Sequence, residues 1–321
     1  MHYDVFNGDA DGIIALVQMR LAEPKTSTLI TGVKRDIQLL KQVVAKGDAT
    51  SVTVLDISME KNLSELNGLL GDDIPVFYCD HHRTGDVPDS VKLSALINLD
   101  AEVCTSLLIN GYLDGQFATW AVAAAFGDNL NHSAEQLANE LGLSSDDTAF
   151  LKELGMLINY NGYGAGIDDL HMAPADLFQQ LLAYSCPLQL RDDTTSPYYR
   201  LKKGYEKDYQ YVTQLTPIHQ DNVACVYELP CDAWARRISG VFGNELANSS
   251  PDLAHGVLTL NASGQDYTVS VRAPLTNRTG ADEVCSSFAT GGGRRAAAGI
   301  NALPCDEKQE FIQRLTAFYS Q

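Results

Sequence analysis

The chain is predicted to be an α/β protein of two domains. The first is expected to hold a parallel sheet with helices on both faces, and the second to be a smaller α/β domain with a mixed sheet. Three observations predict this. A length of 321 residues exceeds one ordinary hydrophobic core. Short apolar runs alternate with helical segments over the first 160 residues or so, and a polar stretch follows near residue 186.

These boundaries predict a first domain over residues 1–186, a partly helical linker over 187–216 and a second domain over 217–321. In the first domain, apolar runs predict strands at 3–6, 51–55, 74–79 and 95–99. Helical periodicity predicts helices at 13–21, 35–46, 59–70, 103–114, 117–126, 133–142 and 146–159. Strands that alternate with helices pair in parallel, so the first domain is predicted to be built on a parallel sheet.

The second domain is predicted to mix strand pairings. Its strands are predicted at 223–229, 254–261, 266–273 and 299–303. Its helices are predicted at 232–247, at 281–289 and from 306 onward, and a glycine turn at 291–293.

The amino-acid composition of the chain limits the kinds of partner that it is expected to bind. The net charge is −18, from 41 acidic and 23 basic residues, so binding of long nucleic acid, which depends on phosphate neutralisation, is disfavoured. A small anionic substrate in a compact pocket remains compatible, because a bound metal ion and a few arginines act locally. No apolar run approaches a membrane span, and the N-terminus lacks the basic start of a signal peptide. Seven scattered cysteines without a Cys-x-x-Cys pair favour a reduced, cytoplasmic protein.

Metal-binding side chains follow the ends of the first three predicted strands: Asp9 and Asp11, then Asp56, then Asp80, His81 and His82. Open α/β sheets bind ligands outside the carboxyl ends of their strands, so these side chains are expected to converge. Asp128 adds a further carboxylate after an apolar helix. Oxygen ligands with one imidazole suit Mn²⁺ or Mg²⁺ better than Zn²⁺.

Each segment taken alone has a simpler explanation. The 7–12 segment fits an Asx-turn that caps a helix, Asp56 fits a helix N-cap, and Asp128 fits the end of a helix. Taken together, they predict a centre of two ions that activates water for in-line hydrolysis of a phosphate. Neither a P-loop nor a Gly-x-Ser-x-Gly motif occurs in the chain.

A second candidate site follows in the C-terminal domain. Arg294 and Arg295 come directly after the glycines of 291–293, and Arg272 lies in a predicted strand. Glycines allow close approach of the backbone to an anion, and arginines bind phosphate in a bidentate way. The alternative is a flexible surface turn with solvated arginines. We favour the phosphate site because the chain is otherwise so acidic.

In this order the motifs resemble the DHH phosphoesterase superfamily, in its two-domain form with a C-terminal DHH-associated domain. They are Asp-x-Asp-Gly at 9–12, a strand-end Asp at 56, Asp-His-His at 80–82, Gly-Asp at 127–128 and Gly-Gly-Gly…Ala-Ala-Gly at 291–299. Members that resemble this chain are manganese-dependent hydrolases. They include RecJ-type exonucleases, nano-RNA and dinucleotide phosphodiesterases, nucleotide phosphatases and pyrophosphatases.

The resemblance implies a role for each metal ligand. Asp9 and Asp56 would hold one ion, and Asp56 would bridge it to a second ion held by Asp11, His81 and Asp128. Mn²⁺ is the expected ion, with Mg²⁺ as an alternative. A homodimer is likewise an expectation from the resemblance.

The resemblance also implies roles around the ions. Asp80 would support the cluster, and His82 would contact the scissile phosphate. Gly292, Gly293 and Arg294 would lie in a turn that grips the substrate across the interdomain cleft.

Three positions depart from the family pattern. Val5 stands where many relatives have His, and Asn7 where RecJ-like members have an acid, so the first ion is expected to bind more weakly. Arg294 replaces the His that follows the three glycines, which keeps anion binding but removes a titratable group.

The predicted function is a metal-dependent phosphohydrolase, a phosphodiesterase or phosphatase, for small nucleotides, dinucleotides or very short oligonucleotides. The alternatives are a polyphosphate or pyrophosphate hydrolase, and a nucleotide-sensing protein that lacks catalysis. The expected partner is a small phosphorylated substrate, with neither long nucleic acid nor a membrane.

Overall fold

The computed structural model describes residues 1–320. The chain divides into two compact units, the first covering Met1–Gly204 and the second beginning at Tyr205. The first unit contains a five-stranded sheet, β1 (His2–Phe6), β2 (Thr28–Ile30), β3 (Ser51–Leu55), β4 (Val76–Asp80) and β5 (Leu93–Ile97). The strand order is β2-β1-β3-β4-β5, and all pairs are parallel.

Nine helices of the described chain belong to this unit: α1 (Ala10–Ala22), α2 (Leu40–Lys46), α3 (Leu63–Gly71), α4 (Thr105–Tyr112), α5 (Ala118–Gly127), α6 (Asn131–Glu140), α7 (Ser145–Asn161), α8 (Pro174–Leu181) and α9 (Gln189–Asp192). Short 3₁₀ turns occur at Glu60–Asn62 and Ile167–Asp169. Another helix, α10 (Pro197–Val212), lies within residues 187–216, which the sequence predicts as a linker. The predicted domain boundaries stay a prediction.

Alternation along the strands explains why both faces of the sheet are covered. Tyr3 and Val5 of β1 face one side, where they join the apolar core formed with α2 and α3. On the other side, the Phe77 ring of β4 lies 5.3 Å from the Tyr112 ring of α4, and Cys79 Sγ lies 3.9 Å from the Thr105 carbonyl oxygen. A strand buried on both faces is the arrangement expected of a parallel sheet.

The register of the sheet brings three strand ends to one edge. Phe6, the last residue of β1, pairs with Leu55, the last residue of β3, and Leu55 pairs with Cys79 of β4. The residues that follow these strands therefore leave the sheet side by side. The Asp56 N–H donates to the Cys79 carbonyl oxygen at 3.0 Å, which continues this alignment past the end of β3.

Two helix glycines allow α5 and α7 to pack closely beside this edge. A Cβ on Gly155 would lie 1.9 Å from the Ala123 carbonyl oxygen, and a Cβ on Gly127 would lie 2.5 Å from Ala10 Cβ at the start of α1. The backbones therefore touch at these positions. Because Asp128 directly follows α5, this packing fixes where its carboxylate lies.

The second unit contains a six-stranded sheet, β6 (His219–Gln220), β7 (Ala224–Leu229), β8 (Ala254–Leu260), β9 (Asp266–Arg272), β10 (Gly291–Gly293) and β11 (Ala297–Pro304). Its order is β10-β11-β9-β8-β7-β6; β7 and β8 are parallel and the other pairs antiparallel. The helices are α11 (Ala233–Ser249), α12 (Ala281–Ser286) and α13 (Lys308–Tyr319), with a 3₁₀ turn at Cys305–Glu307. Helices α12 and α13 pack on the apolar core of this sheet.

The predicted fold class is confirmed: a parallel sheet covered on both faces and a separate mixed sheet. The sequence patterns missed β2, β6 and α8, and β5 lies two residues earlier than the predicted strand at 95–99. The missed strands are only two and three residues long and lie at a sheet edge, too short for a periodic pattern to register. Within residues 1–320, no helix combines the length and apolar character needed to cross a bilayer.

The prediction of a glycine turn at 291–293 is wrong. These glycines form β10, which pairs with β11, and the turn follows at residues 294–296. A Cβ on Gly291 would lie 1.7 Å from the Cys285 carbonyl oxygen, and Gly293 has φ +145°. The glycines therefore reflect close backbone approach and an unusual dihedral angle within a strand, which in sequence look the same as a turn.

We predict that Gly155→Ala destabilises the protein by about 1–3 kcal/mol or more, because α5 and α7 must separate to accept the methyl group. Gly68→Ala in α3 is the matched control, since nothing lies within 4 Å of its added Cβ. The control is expected to leave stability unchanged or raise it by about 0.5–1 kcal/mol. Urea denaturation measures both variants, and equal stability of the two would contradict the close packing.

Candidate metal centre

The carboxyl edge of the parallel sheet gathers the side chains that the sequence singles out in the first unit. Asn7, Asp9 and Asp11 follow β1, Asp56 follows β3, Asp80 ends β4, His81 and His82 come next, and Asp128 follows α5. All of them except His82 and Asp128 are buried as residues, and the Asp128 side chain is only 7% exposed. The structure thus concentrates acid at one end of the sheet, where water cannot solvate it.

His81 is the imidazole at the centre of this cluster. Its Nδ1 lies 2.7 Å from the Val103 carbonyl oxygen, which can only accept, so Nδ1 carries the proton. The opposite nitrogen, Nε2, lies 3.4 Å from Asp56 Oδ1, 3.8 Å from Asp11 Oδ2 and 3.9 Å from Asp128 Oδ2. In the neutral ring, a lone pair therefore faces three carboxylates, an arrangement that a cation among them stabilises.

These distances also fit a single cation in that position. With bonds of about 2.1 Å, ligands of an octahedral ion lie roughly 3 Å apart when adjacent and roughly 4 Å apart when opposite. The three separations at His81 Nε2, from 3.4 to 3.9 Å, are somewhat longer than the adjacent value, so small shifts of the side chains would bring all four groups onto one ion. The donor set of three carboxylates and one imidazole is the one expected for Mn²⁺ or Mg²⁺. The residues present therefore fit a divalent ion.

Asp56 has the most unfavourable environment in the cluster. Its φ is +59°, a left-handed conformation that is uncommon outside glycine and is often retained at functional sites. Burial raises the pKa of Asp56 well above its ordinary value, and the neighbouring carboxylates of Asp9, Asp11 and Asp80 add to this effect. The carboxylate form of Asp56 is therefore costly until a cation joins the cluster.

Asp11 is fixed by the start of helix α4. Its Oδ1 accepts the Ser106 N–H and its Oδ2 accepts the Thr105 N–H, each at 2.7 Å. The Ser106 hydroxyl in turn donates to the Asp11 carbonyl oxygen at 2.8 Å. The Thr105 hydroxyl also lies 3.3 Å from Asp56 Oδ1 and donates to it. Sequence reasoning missed Thr105 and Ser106, because only the fold brings them to the end of β1.

Asp80 and His82 form a hydrogen-bonded pair at the end of β4. His82 Nδ1 lies 2.7 Å from Asp80 Oδ1 and donates to it, while the His82 side chain stays 30% exposed. Asp56, His81 and His82 each offer a ligand atom within 4.8 Å of the others. Asp80 accepts from Nδ1 of His82, and the role of the His82 Nε2 toward a substrate stays a prediction.

Asp9 is paired with Lys34, a residue that the sequence analysis did not single out. Asp9 Oδ1 accepts the Gly12 N–H at 3.0 Å, and Oδ2 accepts from Lys34 Nζ at 2.5 Å. Burial alone would raise the pKa of Asp9, but the Lys34 ammonium outweighs burial and holds that pKa below its ordinary value. Conversely, burial disfavours the Lys34 ammonium, but Asp9 raises the Lys34 pKa above its usual range. Lys34 follows β2, the strand that the sequence patterns missed.

Asn7 contacts the Lys34 segment through its side-chain amide. Its Nδ2 donates to the Lys34 carbonyl oxygen at 3.2 Å. Its Oδ1 is buried and has no hydrogen-bond partner among residues 1–320. A buried acceptor without a donor is costly, and a cation or a substrate donor nearby would satisfy it.

The predicted phosphate-binding residues lie in the second unit. Arg272 of β9 donates from Nε to Asn244 Oδ1 at 2.6 Å and from a terminal nitrogen to the Gly240 carbonyl oxygen at 3.3 Å. Arg294 and Arg295 are exposed in the turn between β10 and β11, and Gly292 and Gly293 belong to β10. The roles of these five residues toward a substrate stay a prediction.

Comparison with known proteins places the fold. No family model matches the chain, and no curated protein matches its sequence. A RecJ exonuclease structure bound to manganese shares 16% identity over the whole chain and 90% of the RecJ chain, with a TM-score of 0.60. The Mn²⁺ complex of RecJ from Thermus thermophilus also shares 16% identity, over 99% of this chain and 52% of that one, with a TM-score of 0.65. The chain shares the fold of these RecJ structures.

A further structure of the same fold aligns over nearly its full length. This structure is the pGpG-specific phosphodiesterase PggH from Vibrio cholerae, which is 11% identical to the present chain. The alignment covers the whole of the present chain and 99% of PggH, with a TM-score of 0.54. By contrast, the present chain spans about half of the Thermus RecJ. RecJ from that organism has also been solved with Mg²⁺, so RecJ structures contain both ions that the donor set around His81 favours.

We predict that Asp56→Asn weakens Mn²⁺ binding by at least about 100-fold and raises the stability of the metal-free protein by roughly 0.5–2 kcal/mol. Asparagine tolerates the left-handed conformation and removes a costly charge. Because the Asp56 pKa is raised in the folded state, metal-free wild type loses stability as the pH rises above about 4. The advantage of the variant should therefore shrink as the pH falls toward that value.

Calorimetry with Mn²⁺ and urea unfolding in chelator measure the two effects. Asp114→Asn is the matched control, because Asp114 is also left-handed, with φ +51°, but is exposed and lies outside the cluster. The control is expected to change neither quantity. Unchanged Mn²⁺ affinity in Asp56→Asn would show that Asp56 is not a ligand.

Proposed function

We propose that the protein is a Mn²⁺-dependent phosphohydrolase of small nucleotides, dinucleotides or very short oligonucleotides. The observation that carries this proposal is the orientation of His81. Its Nδ1 is held by a backbone carbonyl, and its Nε2 faces the carboxylates of Asp11, Asp56 and Asp128. A ring held in this way favours a metal ligand over a histidine that is buried only for packing.

The proposed ion site consists of Asp11, Asp56, His81 and Asp128. A bound ion supplies Lewis acidity, which makes water a better nucleophile at neutral pH and offsets negative charge on a phosphoryl oxygen. The protein supplies the positions of the ligands. Asp11 is held by the first N–H groups of α4, and Asp128 by the packing of α5 against α7. Ligands fixed in this way need little rearrangement during the reaction.

His82 is the proposed partner of the scissile phosphate. Asp80 accepts the proton of His82 Nδ1 and fixes the ring, so Nε2 is available to an oxygen of the substrate. A histidine in this position donates a hydrogen bond to the phosphate or a proton to the leaving oxygen, a contribution typically worth about 10²–10⁴-fold in rate. The 30% exposure of its side chain is consistent with contact to a substrate.

Several features support a small nucleotide as substrate. The net charge of −18 disfavours long polyanions. PggH, which shares the fold over its full length, is a phosphodiesterase specific for pGpG, and the RecJ proteins are exonucleases of the same fold. We further propose that Arg272, Arg294 and Arg295, with Gly292 and Gly293, bind a second part of the substrate. The exposed guanidinium groups of Arg294 and Arg295 suit a phosphate.

The proposal is tested by product release from a substrate panel with Mn²⁺. The panel contains pGpG, other dinucleotides, mononucleotides, pyrophosphate, polyphosphate and long single-stranded DNA. Dinucleotides are expected to be cleaved fastest and long DNA slowest. Preferred release from pyrophosphate or polyphosphate would replace the nucleotide assignment by that of an inorganic chain hydrolase. Tight nucleotide binding without any hydrolysis would instead favour a sensing protein.

We predict that His82→Gln lowers kcat for the best substrate by about 100–1000-fold but changes Mn²⁺ affinity by less than about threefold. The physical reason is that His82 touches the substrate and not the ion. Steady-state kinetics and calorimetry measure the two quantities. His132→Gln, at an exposed histidine of α6, is the control and should match wild type. Loss of Mn²⁺ binding in His82→Gln would instead make His82 a ligand.

A further inference from the structure

Lys34 has the contacts of a bound cation rather than those of a surface lysine. Its Nζ lies 2.5 Å from Asp9 Oδ2, 3.1 Å from Asn159 Oδ1 and 3.9 Å from Asp128 Oδ1. The ammonium also lies 5.5 Å from the centre of the Tyr163 ring. Oxygen atoms from three separate segments therefore surround the charge, and only 24% of the side chain is exposed.

Hydrogen bonds of the backbone hold the segment around Lys34 in this position. Its N–H donates to the Gly162 carbonyl oxygen at 2.8 Å, just past the end of α7, and its own carbonyl oxygen accepts from Asn7 Nδ2 at 3.2 Å. One residue earlier, the Val33 N–H donates to Asp36 Oδ2 at 3.1 Å. The segment after β2 is thus tied to the loop after β1 and to the end of α7. The ammonium is directed to the cluster by these contacts.

Asp9, in turn, has both carboxylate oxygens engaged by groups of the protein. Oδ1 accepts the Gly12 N–H, and Oδ2 accepts from the Lys34 ammonium. A divalent ion on Oδ2 would lie next to that ammonium and be repelled by it. Position 7 offers this side of the cluster only a neutral amide, and position 5 an apolar valine. The ligands near Asp9 are therefore poorer than those around His81.

From these contacts we propose that the Lys34 ammonium replaces one of the two divalent ions that the sequence predicts. The centre would then hold a single ion, with Asp11, Asp56, His81 and Asp128 as its ligands. The Lys34 ammonium would lie beside that ion and neutralise Asp9. This inference rests on the proposed function and refines it. The ammonium can donate hydrogen bonds to a phosphate oxygen, but unlike a metal ion it cannot activate water. Activation of water is therefore left to the single ion.

The test is the number of Mn²⁺ ions bound per chain, measured by equilibrium dialysis and by electron paramagnetic resonance of the bound and free ion. Wild type is expected to bind one ion and to show no spin coupling between ions. Lys34→Gln is expected to bind two ions at saturating Mn²⁺, because Asp9 becomes available as a ligand. Lys46→Gln, at an exposed lysine of α2, removes the same charge far from Asp9 in sequence and should bind one ion.

A second variant keeps the inference testable if Lys34→Gln does not fold. Asp9→Asn is expected to keep one ion with its dissociation constant within about threefold of wild type, since Asp9 pairs with the lysine. Two ions in wild type, one ion in folded Lys34→Gln, or loss of the ion in Asp9→Asn would each overturn the inference. No Mn²⁺ binding to wild type would instead overturn the proposed function itself, so the two failures are distinguishable.

Discussion

Crowding of negative charge at the edge of the parallel sheet is the constraint on which the rest of the first unit depends. Five carboxylates come together there with almost no exposure to water, those of Asp9, Asp11, Asp56, Asp80 and Asp128. Buried charges are retained only when each has compensating partners. The structure supplies a different partner for nearly every one: backbone N–H groups, an ammonium, an imidazole N–H and, as we propose, one divalent ion.

The fold meets this constraint through elements that lie beside the cluster. In-register parallel strands bring the loop after β1 next to Asp56, and the left-handed backbone at Asp56 turns the chain at that point. Asp9 caps the start of α1, and α4 begins beside Asp11, so N–H groups at the start of both helices donate to these carboxylates. Burial of so much negative charge is expected to cost stability unless each carboxylate keeps its partner.

Much of this could be predicted from the sequence, and the reasons for success and failure are physical. Asp56 and His81 directly follow strands with clear apolar patterns, and Asp9 and Asp11 lie within five residues of one, so their convergence could be predicted from the geometry of a parallel sheet. Lys34 could not, because it follows the three-residue strand β2 and meets Asp9 through long-range contacts.

The other residues that the sequence did not reveal were also brought to the site only by the fold. The N–H groups of Thr105 and Ser106 leave no trace in side-chain type, and Asn159 lies on α7, remote in sequence from the cluster. The sequence predicts a turn at the glycines 291–293, because close backbone approach within a strand selects the same residue as a turn does.

The proposed metal site lies beside His81 Nε2, and anomalous diffraction at the manganese edge from Mn²⁺-soaked crystals locates any ion bound there. The proposed site predicts one strong peak bounded by His81, Asp56, Asp11 and Asp128. A map without density beside His81 Nε2 would contradict it.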